Sequence, residues 1–362
     1  MKLLAPLPKR RGFLLKTYAG GTVAFDEDPD IDFDFDERVA KLEQRGMIFN
    51  PGDKDWLRQI GYYRVKPYWH NNIERVRQDD GRFRTPKKGG KFKGGTYFSG
   101  VRANYDMDAK LRQMLYPGLA NVEVALREAT SSVLQDRFGR YALYEPGLCV
   151  LHPGQESSSA EVVQHKLQKA AKNNWRSELR AVNLYMRRPT FENKWPVWQG
   201  VEIITFGELV TLFENLADAA IKTEIAKRLG YGDAEMLSCV LRQLTIVRNR
   251  CAHHGRIFNH EFMHKYDVPD FLMMDIPPIL RYDPKTQLTN FESIVVRTYA
   301  VLTVLIDLNL RIDPSAPWVR EMFTWLNSSE VSEYFLKGAG FPLDDWLTKP
   351  LWKRVSSLQS AA

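Results

Sequence analysis

Thirteen consecutive residues, Val247 to Asn259, hold two adjacent histidines, three arginines and two asparagines. Groups of these types suit proton transfer and phosphate binding. Cleaving RNA without a metal needs a base for the 2′-hydroxyl proton, an acid for the departing 5′-oxygen, and a cation for the charge building on phosphorus. Histidine titrates near neutrality and serves as either base or acid. Arginine stays charged and grips phosphate with a planar fork. Arg248 and His253 have Arg-x4-His spacing, and His254 has Arg-x5-His. On a helix, five residues turn by about 140°, so Arg248 reaches His253 only over the helix end. Two copies of the helix meeting across a symmetric dimer would relieve that geometry. Arg and His five apart also occur where the histidine is merely structural. Asn249, the second histidine, Gly255 and Arg256 add to the catalytic reading.

A second constellation follows at once. His260-Glu261-Phe262-Met263-His264 matches the H-E-x-x-H pattern in which two histidines one helical turn apart bind zinc and the glutamate activates water. Lys265-Tyr266-Asp267-Val268-Pro269 ends any such helix immediately, and no third ligand stands nearby. The match reads as chance, and the sequence calls for neither metal nor cofactor.

Two basic segments suit a polyanion. Residues 75–95 place Arg82, Arg84, Lys87 and Lys88 among Gly-Gly pairs, as nucleic-acid contacts or a solvated loop. Lys166, Lys169, Asn173, Arg176 and Arg180 step by three and four along a predicted helix, 160–185, with Leu167 and Leu179 off the stripe. Arg256 is a further candidate RNA contact. The formal charge of +7 over 362 residues agrees with a polyanionic partner.

The elements that must position these groups read as helices, and the fold class expected is all-α. Helices are predicted from Asp36 (as N-cap) to Gly46, over 53–68, over 106–138 with a kink at Pro117, over 209–216 and 219–229, over 234–254 carrying the opening stretch, and over 289–310. Leu111, Leu115, Leu119, Val122, Leu126 and Val133 recur at helical spacing on the long one. It also carries Glu123 and Arg127, four apart and able to pair. Residues 187–200 and 269–284 read as irregular or extended. The tail, with Trp318, Trp325, Trp346 and Trp352, reads as two short helices. The expected organisation is 1–98 as an arm, a small helical region and a basic loop, 99–312 as the helical domain, and 313–362 as a helical tail.

Cys149, Cys239 and Cys251 are too scattered for a disulfide framework or a CxxC metal site, which suits a reducing, cytoplasmic compartment. Met1 to Arg11 lacks the apolar run of a signal peptide. Val295 to Leu310, interrupted by Arg297 and Asp307, is too short to span a bilayer and reads as a buried core helix.

TIVRNRCAHHGRIFN, following LRQL and ending at Asn259, resembles the signature of the bacterial abortive infection (Abi) family related to the lactococcal AbiD and AbiF proteins. KLEQRGMIF at 41–49, WLRQIGYYRVKPYW at 56–69, LRQMLYPGLANVEVALRE at 111–128 and TFGELVTLFENL at 205–216 are similar to it in the same order. The resemblance covers about residues 36–310. It implies a HEPN-type helical domain, a class whose Arg-x4–6-His motif marks metal-independent endoribonucleases acting as dimers. It also implies a phage-defence role as a growth-arresting toxin, in some relatives associated with a small non-coding RNA. Arg248 and His253 match the motif's Arg and His, Asn249 its polar position, and Glu123 with Arg127 an accessory position on a neighbouring helix. Some HEPN domains only bind RNA, and that is the alternative reading.

Overall fold

The computed structural model describes residues 34–77, 83–86, 89–172, 194–282 and 289–360. The described chain is mostly helical, with short two-stranded pairings. It divides into two compact units, one running to Val101 and the other starting at Arg102.

The first unit opens with α1 (Phe35–Gln44). Asp34, not Asp36, is its N-cap. The Asp34 side chain accepts from the Glu37 N–H while Glu37 returns a bond to the Asp34 N–H, forming a capping box. The helix predicted over 53–68 is two, α2 (Asp53–Ile60) and α3 (Tyr62–Trp69), because Gly61 between them has φ +101. Val76–Arg77 (β1) pairs antiparallel with Phe83–Arg84 (β2).

The second unit is organised on α4, whose helix runs from Phe98 to Phe138 and passes through Pro117. Its predicted apolar positions are all buried. Next among the described residues come α5 (Ser159–Lys172), α6 (Val197–Ile203), α7 (Phe206–Glu214), α8 (Ala219–Arg228) and α9 (Ala234–Ala252). After α9 come β3 (Glu261–Asp267), β4 (Ile279–Tyr282), β5 (Thr289–Glu292) and β6 (Ile294–Arg297). Four helices finish the unit: α10 (Thr298–Ile312), α11 (Pro317–Leu326), α12 (Glu333–Ala339) and α13 (Pro350–Ser360).

Three further predicted features differ in the second unit. Residues 289–292 and 294–297 are strands, and the helix starts only at Thr298. The tail holds three helices rather than two, and Val197–Ile203 is helical where an irregular segment was expected.

α10 is buried from Thr298 to Leu310 and forms the spine of the core. Its Asn309 donates to the Gly118 carbonyl of α4 at 3.1 Å. Gly118 lies against the Trp318 ring so closely that a Cβ there would sit 2.5 Å from it. The Trp318 Nε1–H donates to the Met114 carbonyl at 2.6 Å, fastening the tail to α4.

β3 pairs antiparallel with β6, with a register shift between Glu261 and Tyr266. Such a bulge leaves backbone groups off the ladder. Buried Gln243 of α9 answers it, donating to the His264 and Val295 carbonyls at 2.9 Å each. One polar side chain thus fixes α9 to both strands. No described helix is long and apolar enough to cross a membrane.

Candidate functional site

α9 ends at Ala252 with His253 as its C-cap. The Gly255 N–H donates to the Arg250 carbonyl at 2.7 Å and the His254 N–H to the Cys251 carbonyl at 3.4 Å. These two bonds make a Schellman turn. The residue in its left-handed position is usually glycine, and here it is His254, at φ 57. A non-glycine residue there costs on the order of 1–3 kcal/mol, and such strain gathers at functional sites. The turn leaves His253 and His254 exposed side by side at the helix end, with Asn249 exposed one turn earlier.

Arg248 lies on the α9 face toward α4. Its Nε is 3.4 Å from Glu123 Oε2, and Glu123 Oε1 is 2.6 Å from Arg127 Nη2. Arg127 also donates to the carbonyls of Val201 and Ile204, the latter at 3.0 Å, which lie at the C-terminal end of α6. Carbonyls at a helix C-terminus carry partial negative charge and suit a guanidinium. The order of support therefore runs from α6 to Arg127, Glu123 and Arg248. One carboxylate serves two guanidinium groups, so the cluster keeps a net positive charge. Arg248 remains 26% exposed, against 12% for Arg127 and 15% for Glu123.

The turn is held from below by residues that spacing alone did not single out. Asp108 of α4, fully buried, accepts from the Phe258 N–H at 2.7 Å and the Ile257 N–H at 3.2 Å. Arg112, one turn on, pairs with it at 2.5 Å and leans to the Gly255 carbonyl at 3.4 Å. Arg250 Nη1 donates to the Arg256 carbonyl at 3.1 Å. The only hint in the sequence was the Asp-x3-Arg step on α4, which gives a helical pair but no distant partner.

His260 follows the turn. Burial, then the charges of Arg250 and Arg256, push its pKa down to about 4, with Glu261 opposing. The H-E-x-x-H stretch is not helical, since Glu261–Asp267 is strand β3. At about 3.3 Å per strand residue, His260 and His264 stand roughly 13 Å apart, too far to share one ion. Glu261 pairs with Arg297 at 3.6 Å, and His264 Nε2 lies 3.1 Å from the Cys239 carbonyl. Among the described residues no group of three His, Cys, Asp or Glu side chains could hold a metal ion.

The basic stripe is only partly described. Lys166 is paired with Glu208 at 2.6 Å, which itself belongs to the capping box of α7 with Thr205, while Lys169 is exposed. Arg84 stands in β2. Arg82, Lys87, Lys88, Arg176 and Arg180 lie outside the described residues.

A mostly helical unit with an Arg-x4-His helix end braced by a glutamate on its neighbour is the class of site defined here. The sequence model of the Abi-like protein family matches residues 55–259, more than half the chain, and the chain belongs to that abortive infection family. The match is narrower than the expected 36–310. It takes in Glu123, Arg127, Arg248 and His253 and stops at Asn259, one residue before the H-E-x-x-H stretch. No curated protein and no solved structure matches the chain.

Proposed function

We propose that this abortive infection protein is a metal-independent endoribonuclease of HEPN type, working as a symmetric homodimer. The observation that carries the reading is Arg248, buttressed yet part-exposed, on the same helix whose strained end displays His253 and His254. In the proposed reaction His253 of one subunit removes the 2′-hydroxyl proton. The 2′-oxygen attacks phosphorus, the P–O5′ bond breaks, and the leaving 5′-oxygen takes a proton from the second subunit's copy of the same histidine or from His254. Arg248 offsets the charge on the phosphorane-like transition state, as a preorganised donor does. The products are a 2′,3′-cyclic phosphate and a 5′-hydroxyl. Arg256 and Lys169 supply phosphate contacts, and a regulatory non-coding RNA would bind through the same basic residues.

The test is RNA cleavage by full-length protein in EDTA, with end-group analysis. Cleavage is expected to persist and to leave 2′,3′-cyclic phosphate. His253→Ala is expected to abolish cleavage and growth arrest while RNA binding stays, whereas Arg248→Ala loses cleavage and weakens binding. A 5′-phosphate product, or EDTA sensitivity, would sink the mechanism. RNA binding by a wild type that cuts nothing would leave the non-catalytic reading. A strictly monomeric mass with and without RNA would refute the composite site, and co-purification of a defined RNA from cells would identify the regulator.

A further inference from the structure

One face of α4 and the end of α9 enclose a groove of about 570 Å3. That volume falls within the range of about 300–1,000 Å3 typical of small-ligand sites. α4 lines it with Ala109, Gln113, Tyr116 and Pro117, which share one helical face, and the end of α9 with Ala252 and the turn residue His254. The groove therefore opens beside one of the two motif histidines.

Its chemistry is specific. Tyr116 is 45% exposed and offers an aromatic face on a stiff helix. The exposed Gln113 side-chain amide supplies a donor and an acceptor on the same helical face as the aromatic ring. No carboxylate lines the groove. Such a set of one stacking surface, a mixed polar edge and no negative charge is what single-stranded nucleic-acid sites use to hold a base. An acidic peptide would find one lining cation, Arg112, whose guanidinium is buried and already paired with Asp108 at 2.5 Å, and a purely apolar helix would strand the amide.

We propose that this groove binds the nucleobase adjacent to the scissile phosphate of a single-stranded RNA, stacking it on Tyr116 and meeting its polar edge at Gln113. The inference deepens the RNA-cleaving reading above and rests on it for the position of the phosphate. It adds the substrate class, since a base must be unpaired to enter the groove.

The experiment uses full-length His253→Ala protein, so that the RNA stays intact, and oligoribonucleotides carrying 4-thiouridine at one position each. After irradiation, crosslinked peptides are mapped by mass spectrometry. The expected result is a crosslink within residues 113–118 from a single nucleotide position. Tyr116→Ala is expected to weaken oligonucleotide binding by roughly tenfold, the scale of one lost base stack, and Tyr116→Phe to restore it. Tyr116 is solvent-exposed and the core lies on the other face of α4, so neither variant should unfold the protein.

Crosslinks confined to other peptides, or unchanged affinity in Tyr116→Ala, would overturn the groove while leaving cleavage intact. A shift in dimer dissociation with RNA affinity unchanged would assign the groove to a second copy of the chain and likewise overturn it. A wild type that binds and crosslinks at Tyr116 but never cleaves would uphold the base site and fell the nuclease. Absence of any RNA binding would fell both.

Discussion

Asp108→Asn should destabilise the second unit far more than its near-isosteric shape suggests. Wild-type Asp108 is fully buried and serves three donors: Arg112 at 2.5 Å, Phe258 N–H at 2.7 Å and Ile257 N–H at 3.2 Å. Asparagine keeps one acceptor oxygen and replaces the other with an NH2 group. That group must face either a backbone N–H or the Arg112 guanidinium, and neither can accept from it. Arg112 is itself only 5% exposed, so its charge loses its carboxylate counter-ion in the interior. Breaking one side of a buried pair costs about 3–5 kcal/mol. A loss of about 4 kcal/mol is therefore expected, a large share of the 5–15 kcal/mol typical of a domain. Because the chain has two units, global unfolding alone would blur the reading. Hydrogen exchange at the Ile257 and Phe258 amides gives the local measure, with urea unfolding followed by tryptophan fluorescence for the whole. Adding Arg112→Met should recover part of the loss, since no buried charge is then left alone. A urea-unfolding loss below about 1 kcal/mol, with exchange at both amides unchanged, would refute the account of the turn.

Three further outcomes are expected. Glu123→Gln should misplace Arg248 and lower the cleavage rate by up to about a hundredfold while leaving RNA affinity in place; unchanged cleavage would show that Glu123 positions nothing. Gly338→Ala would put a Cβ 2.4 Å from the Phe258 ring, and should cost about 1–3 kcal/mol by overpacking, read as a lower urea midpoint. His260 is held neutral in the fold down to about 4, so the unfolded chain takes up its proton first as pH falls. Its neutral burial is without cost above its ordinary titration range and costs stability progressively between about pH 6.5 and 4. Halved for solvent screening, the loss at pH 5 is about 1 kcal/mol, which His260→Asn should remove in denaturation measured at pH 7.5 and pH 5.

How far the site was legible follows from how local its determinants are. Arg248, Asn249, His253 and His254 are read from one helix, where spacing translates directly into position. The Glu123–Arg127 step was equally legible as a pair, but not as a brace, because Arg248 comes to it from another helix. Asp108 was invisible for the same reason, since its backbone partners lie about 150 residues on. Where reading failed locally, the signal was present and outweighed. Asp34-x-x-Glu37 is a capping box overlooked in favour of Asp36. Phe262 and Tyr266, buried at even spacing around half-buried His264, mark a strand that the all-helical reading left unassigned. Ile294-Val295-Val296 is β-branched, but the apolar helix behind it absorbed it.

The family match ends at Asn259, yet the motif turn is completed by residues beyond it. Thr298, at the start of α10, donates from Oγ1 to the Ile257 carbonyl at 2.9 Å. Phe258 stacks on Phe335 of α12 at 5.0 Å between ring centres, with Gly338 leaving room for it. The backbone of Ile257 is thus bonded at both ends, its N–H to Asp108 within the matched region and its C=O to Thr298 outside it. A buried peptide unit held at only one end leaves a polar group unpaired, at about 1–3 kcal/mol. The aim of His253 therefore depends on the C-terminal helices as well as on its own, and the catalytic reading applies to the second unit as a whole rather than to the matched stretch. A chain cut after residue 259 would keep every proposed catalytic side chain and lose the surface that Phe258 packs against.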